Sequence, residues 1–164
     1  MKIALLVPFY NEEKNLIFFV KEWDHLIKKK KFKNLFFFFI DDGSTDKSLI
    51  NLRQSLVDRN IKFNILKKKN SGHGASCKFG YKKIINKNFD YIMQIDSDNQ
   101  CNPRDFVKFY KKIKNKKLDF VFGYRKKRGD GSLRIIISKF MSFIFYLKKN
   151  YYIKDLNTPY RVMN

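Results

Sequence analysis

The stretch Tyr91-Ile92-Met93-Gln94-Ile95-Asp96-Ser97-Asp98-Asn99-Gln100 joins a short apolar run directly to an acidic turn. A run of this length without helical spacing reads as a strand covered on both faces. Four more runs repeat the arrangement. Ile3 to Val7 leads into Pro8-Phe9-Tyr10-Asn11-Glu12, and Leu35 to Ile40 into Asp41-Asp42-Gly43-Ser44. Lys62 to Leu66 is followed by the loop Asn70-Ser71-Gly72-His73-Gly74, and Phe120 to Phe122 by Gly123-Tyr124-Arg125. Pro8 is read as the end of the first strand, and Glu12 as the opening of a helix.

Helical periodicities fill the intervals. Leu16, Phe19, Trp23 and Leu26 recur at i, i+3, i+7 and i+10; Leu49, Leu52 and Leu56, then Phe106, Phe109 and Ile113, do likewise. Strand alternating with helix predicts an α/β fold, a Rossmann-like and mostly parallel sheet with helices on both faces. Ligands of such sheets bind beyond the carboxyl ends of the strands. The five polar clusters are therefore expected to converge on one edge. No repeat and no Pro/Gly/Ser linker divides the chain, which reads as one domain over 1–164, with a binding core over 1–123 and an appendage over 124–164.

Composition bounds the partners. At 164 residues, with 44% apolar and 17% aromatic side chains, the chain can bury a core without staples. Cys77 and Cys101 form neither a metal-ligand spacing nor a disulfide framework, as in a reduced, cytoplasmic-side protein. The net charge of +21 suits an anionic partner such as nucleic acid, a phosphorylated substrate or acidic lipid. A compositional origin explains it equally: 29 lysines stand against seven arginines, beside abundant Phe, Ile and Asn. The lysine clusters at 28–31, 67–69 and 126–128 read as solvated surface, and no nucleic-acid recognition motif accompanies them. No signal peptide is apparent at the N-terminus, and neither Phe36 to Ile40 nor Leu133 to Leu147 is long enough to span a bilayer. In the latter, polar breaks at 134, 138, 139 and 142 fall on one side of a helix and leave a wide apolar face flanked by basic residues. That pattern predicts docking on an anionic membrane surface, or packing on the sheet or a partner.

The acidic turn carries the chemistry. Side chains two apart in an extended segment point the same way, so Asp96 and Asp98 can face one hard cation, Mg2+ or Mn2+, with Gln100 adding a neutral oxygen. A cation there would bridge a diphosphate and neutralise a departing group; the alternative is a surface turn ahead of the helix near Pro103. Asp42 can accept hydrogen bonds from a base or ribose, with Asp41 structural and Asp46 capping the next helix. Tyr10 suits a nucleobase and ribose, the two-glycine loop 70–74 can approach phosphate, and Arg125 can pair with diphosphate oxygens. His73 reads as a loop hydrogen-bonder, His25 as a surface residue, and Arg128 as solvated.

The ordered set Val-Pro-Phe-Tyr-Asn-Glu-Glu (7–13), Asp-Asp-Gly-Ser-Thr-Asp (41–46), Gly-His-Gly-Ala (72–75), Gln-Ile-Asp-Ser-Asp-Asn-Gln (94–100) and Gly-Tyr-Arg (123–125) resembles family 2 glycosyltransferases of the GT-A fold. Within them the chain is most similar to the dolichol-phosphate mannosyltransferase-like branch, as is its tail Asp155-Leu156-Asn157-Thr158-Pro159-Tyr160-Arg161. The resemblance implies that Pro8, Tyr10, Glu12, Ile40 and Asp42 line a nucleoside site. It implies that Asp96, Ser97 and Asp98 contact diphosphate and metal, with Gln100 a further ligand, and that Arg125 and Arg161 contact phosphates, Asp98 and Arg125 serving catalysis. The tail has Thr-Pro-Tyr-Arg where the mannosyltransferases tend to have Ser-Gly-Phe-Arg, so donor and acceptor can differ. The family also continues beyond this arginine motif, which implies a longer protein.

The expected activity is inverting transfer of a sugar from a nucleotide diphosphate to a polyprenyl phosphate, peripherally on the cytoplasmic membrane face. A phosphate acceptor is already ionised at neutral pH and needs no protein base. Transfer to a hydroxyl on glycan, lipid or protein is the alternative and requires a positioned carboxylate, for which Asp155 is the candidate. A non-enzymatic nucleic-acid or nucleotide-binding module is the second.

Overall fold

Every residue of β1 (Ile3–Phe9) is buried, and the rest of the sheet is laid out around that strand. The computed structural model describes residues 1–98, 102–116, 118–123, 137, 140, 142–144, 146–147, 158 and 160–164. In chain order β1 is followed by α1 (Glu13–Lys30), β2 (Leu35–Asp41), α2 (Ser48–Leu56), β3 (Lys62–Lys67) and α3 (His73–Ile84). Then come β4 (Tyr91–Gln94), α4 (Pro103–Lys116), β5 (Phe120–Phe122) and β6 (Arg161–Met163). Among the described residues the sheet has six strands in the order β3-β2-β1-β4-β6-β5. The pairs β1–β2, β1–β4 and β2–β3 are parallel, and β6 runs antiparallel to both β4 and β5.

Alternation along the strands sorts the side chains onto two faces. Ile3, Leu5, Val7 and Phe9 of β1 join Phe37 and Phe39 of β2 in the larger core, with Leu16, Phe19 and Trp23 of α1 and Phe106 of α4. Trp23 is its hub, edge-on to both Phe37 and Phe106 at 5.3 Å between centroids. Ala4, Leu6, Phe38 and Ile40 face the other way, onto α3 through Ile84 and Phe79. The α/β fold with helices on both faces is as the sequence reads, and so is the burial of the α1 periodicity.

Four elements differ from that reading. β1 continues through Pro8 to Phe9, paired with Ile40 and Asp41 of β2. Even-numbered residues of β1 turn their backbone toward β4, as in the bond from the Ile95 N–H to the Leu6 carbonyl at 3.0 Å. By Pro8, β4 has ended, so the missing N–H removes no ladder bond. β3 and β5 are not covered on both faces: they are the sheet's two edges, with Phe63, Phe120 and Phe122 exposed. A short apolar run reads the same in the middle of a sheet and at its rim. Finally, 161–163, expected in an appendage, inserts as β6 between β4 and β5. The segment 133–147 lies largely outside the described residues; those that are described, 137, 140, 142–144, 146 and 147, are helical.

The turns that follow β1 and β2 are tied together. Asn11 takes a positive φ of 53°, and its Oδ1 accepts the Thr45 N–H at 2.9 Å. Ser44 Oγ accepts the Asn11 N–H at 3.1 Å, and Ser48 Oγ the Glu12 N–H at 2.7 Å. Asp46 spans both sides, accepting from the Ser48 N–H at 2.9 Å and the Glu13 N–H at 3.3 Å. Burial pushes the Asp46 carboxyl up, but the bonds from Ser48 and Glu13 outweigh it and hold it below its ordinary value.

Two expectations follow. A Cβ on Gly80 of α3 would lie 2.2 Å from Leu6 Cδ1 and 3.2 Å from Ile40 Cγ1, so Gly80→Ala overpacks the smaller core and is expected to cost about 1–3 kcal/mol. Combined with Leu6→Ala the loss should fall short of the sum of the two, as urea denaturation of the four proteins will measure. Asp46→Ala is expected to cost about 1 kcal/mol at neutral pH through the lost bonds to backbone N–H groups. Because the folded carboxyl lies below 3.8, this stabilisation is present above that value and lost as pH falls through the folded one. Denaturation curves of the two proteins should therefore converge in acid.

Candidate functional site

A cleft of about 400 Å³ opens at the carboxyl edge of the sheet. Pro8, Tyr10 and Glu12 reach it from the end of β1, and Asp42 from the end of β2. Asn70, Gly72, His73 and Ser76 border it from the loop and first turn of α3, and Asp96, Ser97 and Asp98 from the loop after β4. Four of the five predicted clusters thus meet at one edge, as crossovers of a parallel sheet require. The fifth begins at Gly123, beyond which Tyr124 and Arg125 lie outside the described residues.

Asp42 is buried at the base of the cleft. Its Oδ1 accepts from Lys68 Nζ and from the Ser71 N–H at 3.0 Å, and its Oδ2 from the Gly72 N–H at 2.8 Å. Burial raises this carboxyl; the ammonium of Lys68, the two N–H groups and the Ser76 hydroxyl more than offset it and keep the group below its usual range. Asp41, fully buried beside it, accepts the Ser44 N–H at 2.8 Å and so shapes the turn. Gly43, at φ 74°, stands where any Cβ would lie 2.9 Å from the Asn70 backbone nitrogen. The turn after β2 and the loop after β3 are packed backbone to backbone.

On the opposite wall, the Ser97 hydroxyl donates to the Pro8 carbonyl at 3.3 Å and anchors the acidic loop to β1. His73 Nε2 lies 3.6 Å from Asp96 Oδ1 and 3.5 Å from Cys77 Sγ. Burial, together with the nearby Asp96 carboxylate, pushes the Cys77 thiol up to about 12, so it stays protonated and unreactive. Among the described residues no three His, Cys, Asp or Glu side chains group closely enough to hold a metal on their own. The hard-oxygen pair Asp96 and Asp98 nonetheless fits a Mg2+-like ion, which takes one or two protein carboxylates and completes its shell with water and substrate phosphates.

Seven of the residues singled out in the sequence border the cleft together: Pro8, Tyr10, Glu12, Asp42, Asp96, Ser97 and Asp98. Ile40 does not; its side chain is fully buried against α3, because even-numbered residues of β2 face that helix. Arg161 sits on β6 opposite Gln94 of β4, its Nε donating to the Thr158 carbonyl at 3.2 Å. Gln100 and Arg125 lie outside the described residues, as do Cys101 and Asp155. Sequence reasoning missed Ser76 and, more seriously, Lys68, which stands in a lysine run taken for solvated surface yet is only 14% exposed. Nothing in the run Lys67-Lys68-Lys69 marks the middle residue except its place directly after a strand.

The family model for glycosyl transferase family 2 matches residues 4–163. A dodecaprenyl-phosphate galacturonate synthase of Rhizobium johnstonii is 24% identical over 143 residues, covering 80% of this chain and 38% of the enzyme. Across the curated relatives it matches, the chain spans between 38% and 69% of their length. A mannosyl-3-phosphoglycerate synthase of Rubrobacter xylanophilus superposes with a TM-score of 0.73 at 12% identity, over 100% of this chain and 54% of that one. A mannosyltransferase of Pyrobaculum calidifontis, in complex with GDP-Man and Mn2+, does so with 0.61 at 16%, over 76% of this chain and 36% of that one. The fold is thus GT-A, and with the family model matching nearly its whole length this chain belongs to glycosyl transferase family 2.

Proposed function

We propose that the protein transfers a sugar from a nucleotide-diphosphate donor to a polyprenyl phosphate, with inversion, while resting on the cytoplasmic face of a membrane. The observation that carries this reading is the meeting of Asp96 and Asp98 with Tyr10, Glu12 and Asp42 in one cleft at the carboxyl edge. Pro8, Tyr10 and Glu12, with Asp42 behind them, form the nucleoside side; the acidic loop forms the diphosphate side. Arg161 and Arg125 are assigned to phosphate groups of donor or acceptor, where a guanidinium fork suits paired oxygens. The acceptor oxygen attacks the anomeric carbon, the bond from that carbon to the diphosphate breaks, and the nucleoside diphosphate leaves with the electron pair. Asp96 and Asp98 would hold a Mg2+ or Mn2+ ion, which when bound neutralises charge developing on the departing diphosphate.

The phosphate acceptor is favoured by the state of the carboxylates. Of those bordering the cleft, Asp42 is bound by Lys68 and two backbone N–H groups, and Glu12 accepts from Asn15 Nδ2 at 2.6 Å. Asp96 and Asp98 are assigned to the cation, so none of the described carboxylates bordering the cleft is assigned as a base for a hydroxyl, Asp155 lying outside the described residues; an acceptor that is already anionic requires none. The polyprenyl-phosphate product named for the Rhizobium relative supports the same acceptor class, and the Mn2+ and GDP-Man of the Pyrobaculum complex support the donor and ion. For the membrane, Ile137, Phe140, Phe143 and Leu147 recur at helical spacing with their side chains exposed, while Ser142 is buried. No helix among the described residues is long and apolar enough to cross a bilayer, so such a stripe suits lying on one.

Asp96→Asn and Asp98→Asn are each expected to lower turnover by roughly 100-fold or more, the scale on which loss of a group stabilising developing charge is felt. A donor panel assayed with and without Mn2+, with mass spectrometry of the lipid product, measures this; undiminished turnover in both variants at saturating donor would remove the assignment. Binding to anionic vesicles should weaken at least about tenfold in the double variant Phe140→Ser, Phe143→Ser, since each ring withdrawn from the interface forfeits roughly 1.5–3 kcal/mol. Flotation at low salt tests it, and indifference of the unaltered chain to anionic vesicles would overturn the membrane contact alone.

A further inference from the structure

The carboxylate of Asp42 and the ammonium of Lys68 form a closed unit behind the cleft. Lys68 Nζ donates to Asp42 Oδ1, to the Ser71 hydroxyl at 2.5 Å, to the Lys69 carbonyl at 2.8 Å and, more weakly, to the Ser76 hydroxyl at 3.3 Å. An ammonium has three protons, and here they are divided among four acceptors. Asp42 is equally occupied, taking the Ser71 and Gly72 N–H groups besides the lysine. Every one of these partners belongs to 68–76, the loop and first turn whose members Asn70, Gly72, His73 and Ser76 make one wall of the cleft. The Lys68 N–H itself extends the sheet, donating to the Asp41 carbonyl at 3.0 Å. The wall is therefore fastened to the end of β2 at two adjacent residues.

A carboxylate offers about four lone-pair positions. With three taken by the loop and the Ser76 hydroxyl against it, Asp42 has little capacity left for a ligand. Its more consequential contribution is to hold the wall. Unpaired, it would be a buried charge beside three others at the same edge, an arrangement that favours protonation or local opening. Lys68, although it does not border the cleft, makes that burial tolerable.

We propose that Lys68 is a positioning residue for the donor and that Asp42 acts on the donor chiefly through it, the pair latching loop 68–72 into the wall that receives the nucleoside diphosphate. This rests on the proposed reading of the cleft as a nucleotide-sugar site. A direct contact from Asp42 and a latch make different predictions for variants. If Asp42 touches the donor independently, the effects of losing Asp42 and Lys68 on affinity add. If the two work as one unit, removing either removes the whole effect and the double variant is no worse than the more affected single.

The experiment is a double-mutant cycle of Lys68→Met and Asp42→Asn on the chain, titrating UDP and GDP calorimetrically with Mn2+ present and following donor KM and kcat. Lys68→Met is expected to weaken nucleoside diphosphate binding by about tenfold or more, the scale of a lost charged hydrogen bond, to raise KM in proportion and to leave kcat within about twofold. The double variant should match the weaker single, and Lys68→Arg, which keeps the charge, should recover most of the affinity. Where Lys68→Met does not fold, Lys68→Gln carries the same expectation. Additive losses, or an unchanged KM with only a lowered melting temperature, would overturn the latch. Failure of the unaltered chain to bind either diphosphate would instead remove the reading of the cleft, and with it the proposal that rests on that reading.

Discussion

The arrangement of this protein depends on one constraint, the complete burial of β1 between two parallel neighbours. A strand covered on both faces and paired on both edges has no freedom of register: a slip of one residue would exchange Leu5 and Val7 with Leu6 across the two cores. Fixing β1 fixes the height at which β2 and β4 end beside it. Pro8 marks that level, its absent N–H falling where β4 has stopped and its carbonyl taken by Ser97. The loops carrying Tyr10, Asp42 and Asp96 are brought to a common edge by this register, before any of their own side chains act.

Those side chains then face an electrostatic difficulty. Asp41, Asp42, Asp96 and Asp98 gather at one end of the sheet, and carboxylates brought together there repel one another. Each is relieved in its own way. Asp41 and Asp42 are turned into structural acceptors, the first for the Ser44 N–H and the second for Lys68 and the 71–72 backbone. Asp96 lies within 3.6 Å of His73 and, with Asp98, borders the cleft rather than the core. Asp41 closes β2 and Asp42 follows it at the base of the cleft, whereas Asp96 and Asp98 border the cleft from the bend that follows β4.

Much of this was legible in the sequence because it depends on period and position. The α1 stripe, the parallel sheet and the convergence of strand-end clusters follow from spacing; Asp46, read as the cap of α2, instead stands one residue before the N-cap Lys47 and bridges the Ser48 and Glu13 N–H groups. What escaped depends on neighbours distant in sequence. That β3 and β5 are edges is a matter of strand order, which apolar content does not encode. That Arg161–Met163 inserts between β4 and β5 involves a crossover from the far end of the chain. Lys68 was read as surface since two flanking lysines are, and only the partner supplied by Asp42, 26 residues earlier, reveals otherwise.

The net charge of +21 takes on a different meaning once the helices are placed. α1, α3 and α4 carry lysines in their last turns, Lys28 to Lys30, Lys82 and Lys83, and Lys114 and Lys116. Each of these helices runs back from the carboxyl edge, so its C-terminal turn lies at the end of the sheet away from the cleft, where cations complement the negative pole of the helix. This part of the excess thus stabilises helices and does not by itself select a ligand. At the cleft the same geometry presents the positive poles. The N-terminal turns of α1, α2 and α3 open toward the edge where the carboxylates lie, and Asp46 at the starts of α1 and α2 and Asp42 at the start of α3 already accept N–H groups there. An edge that combines several carboxylates with helix N-termini is suited to a ligand that is anionic and arrives with a cation. The nucleoside diphosphate and divalent ion proposed for the cleft have that character, whereas a bare polyanion would be repelled by Asp96 and Asp98.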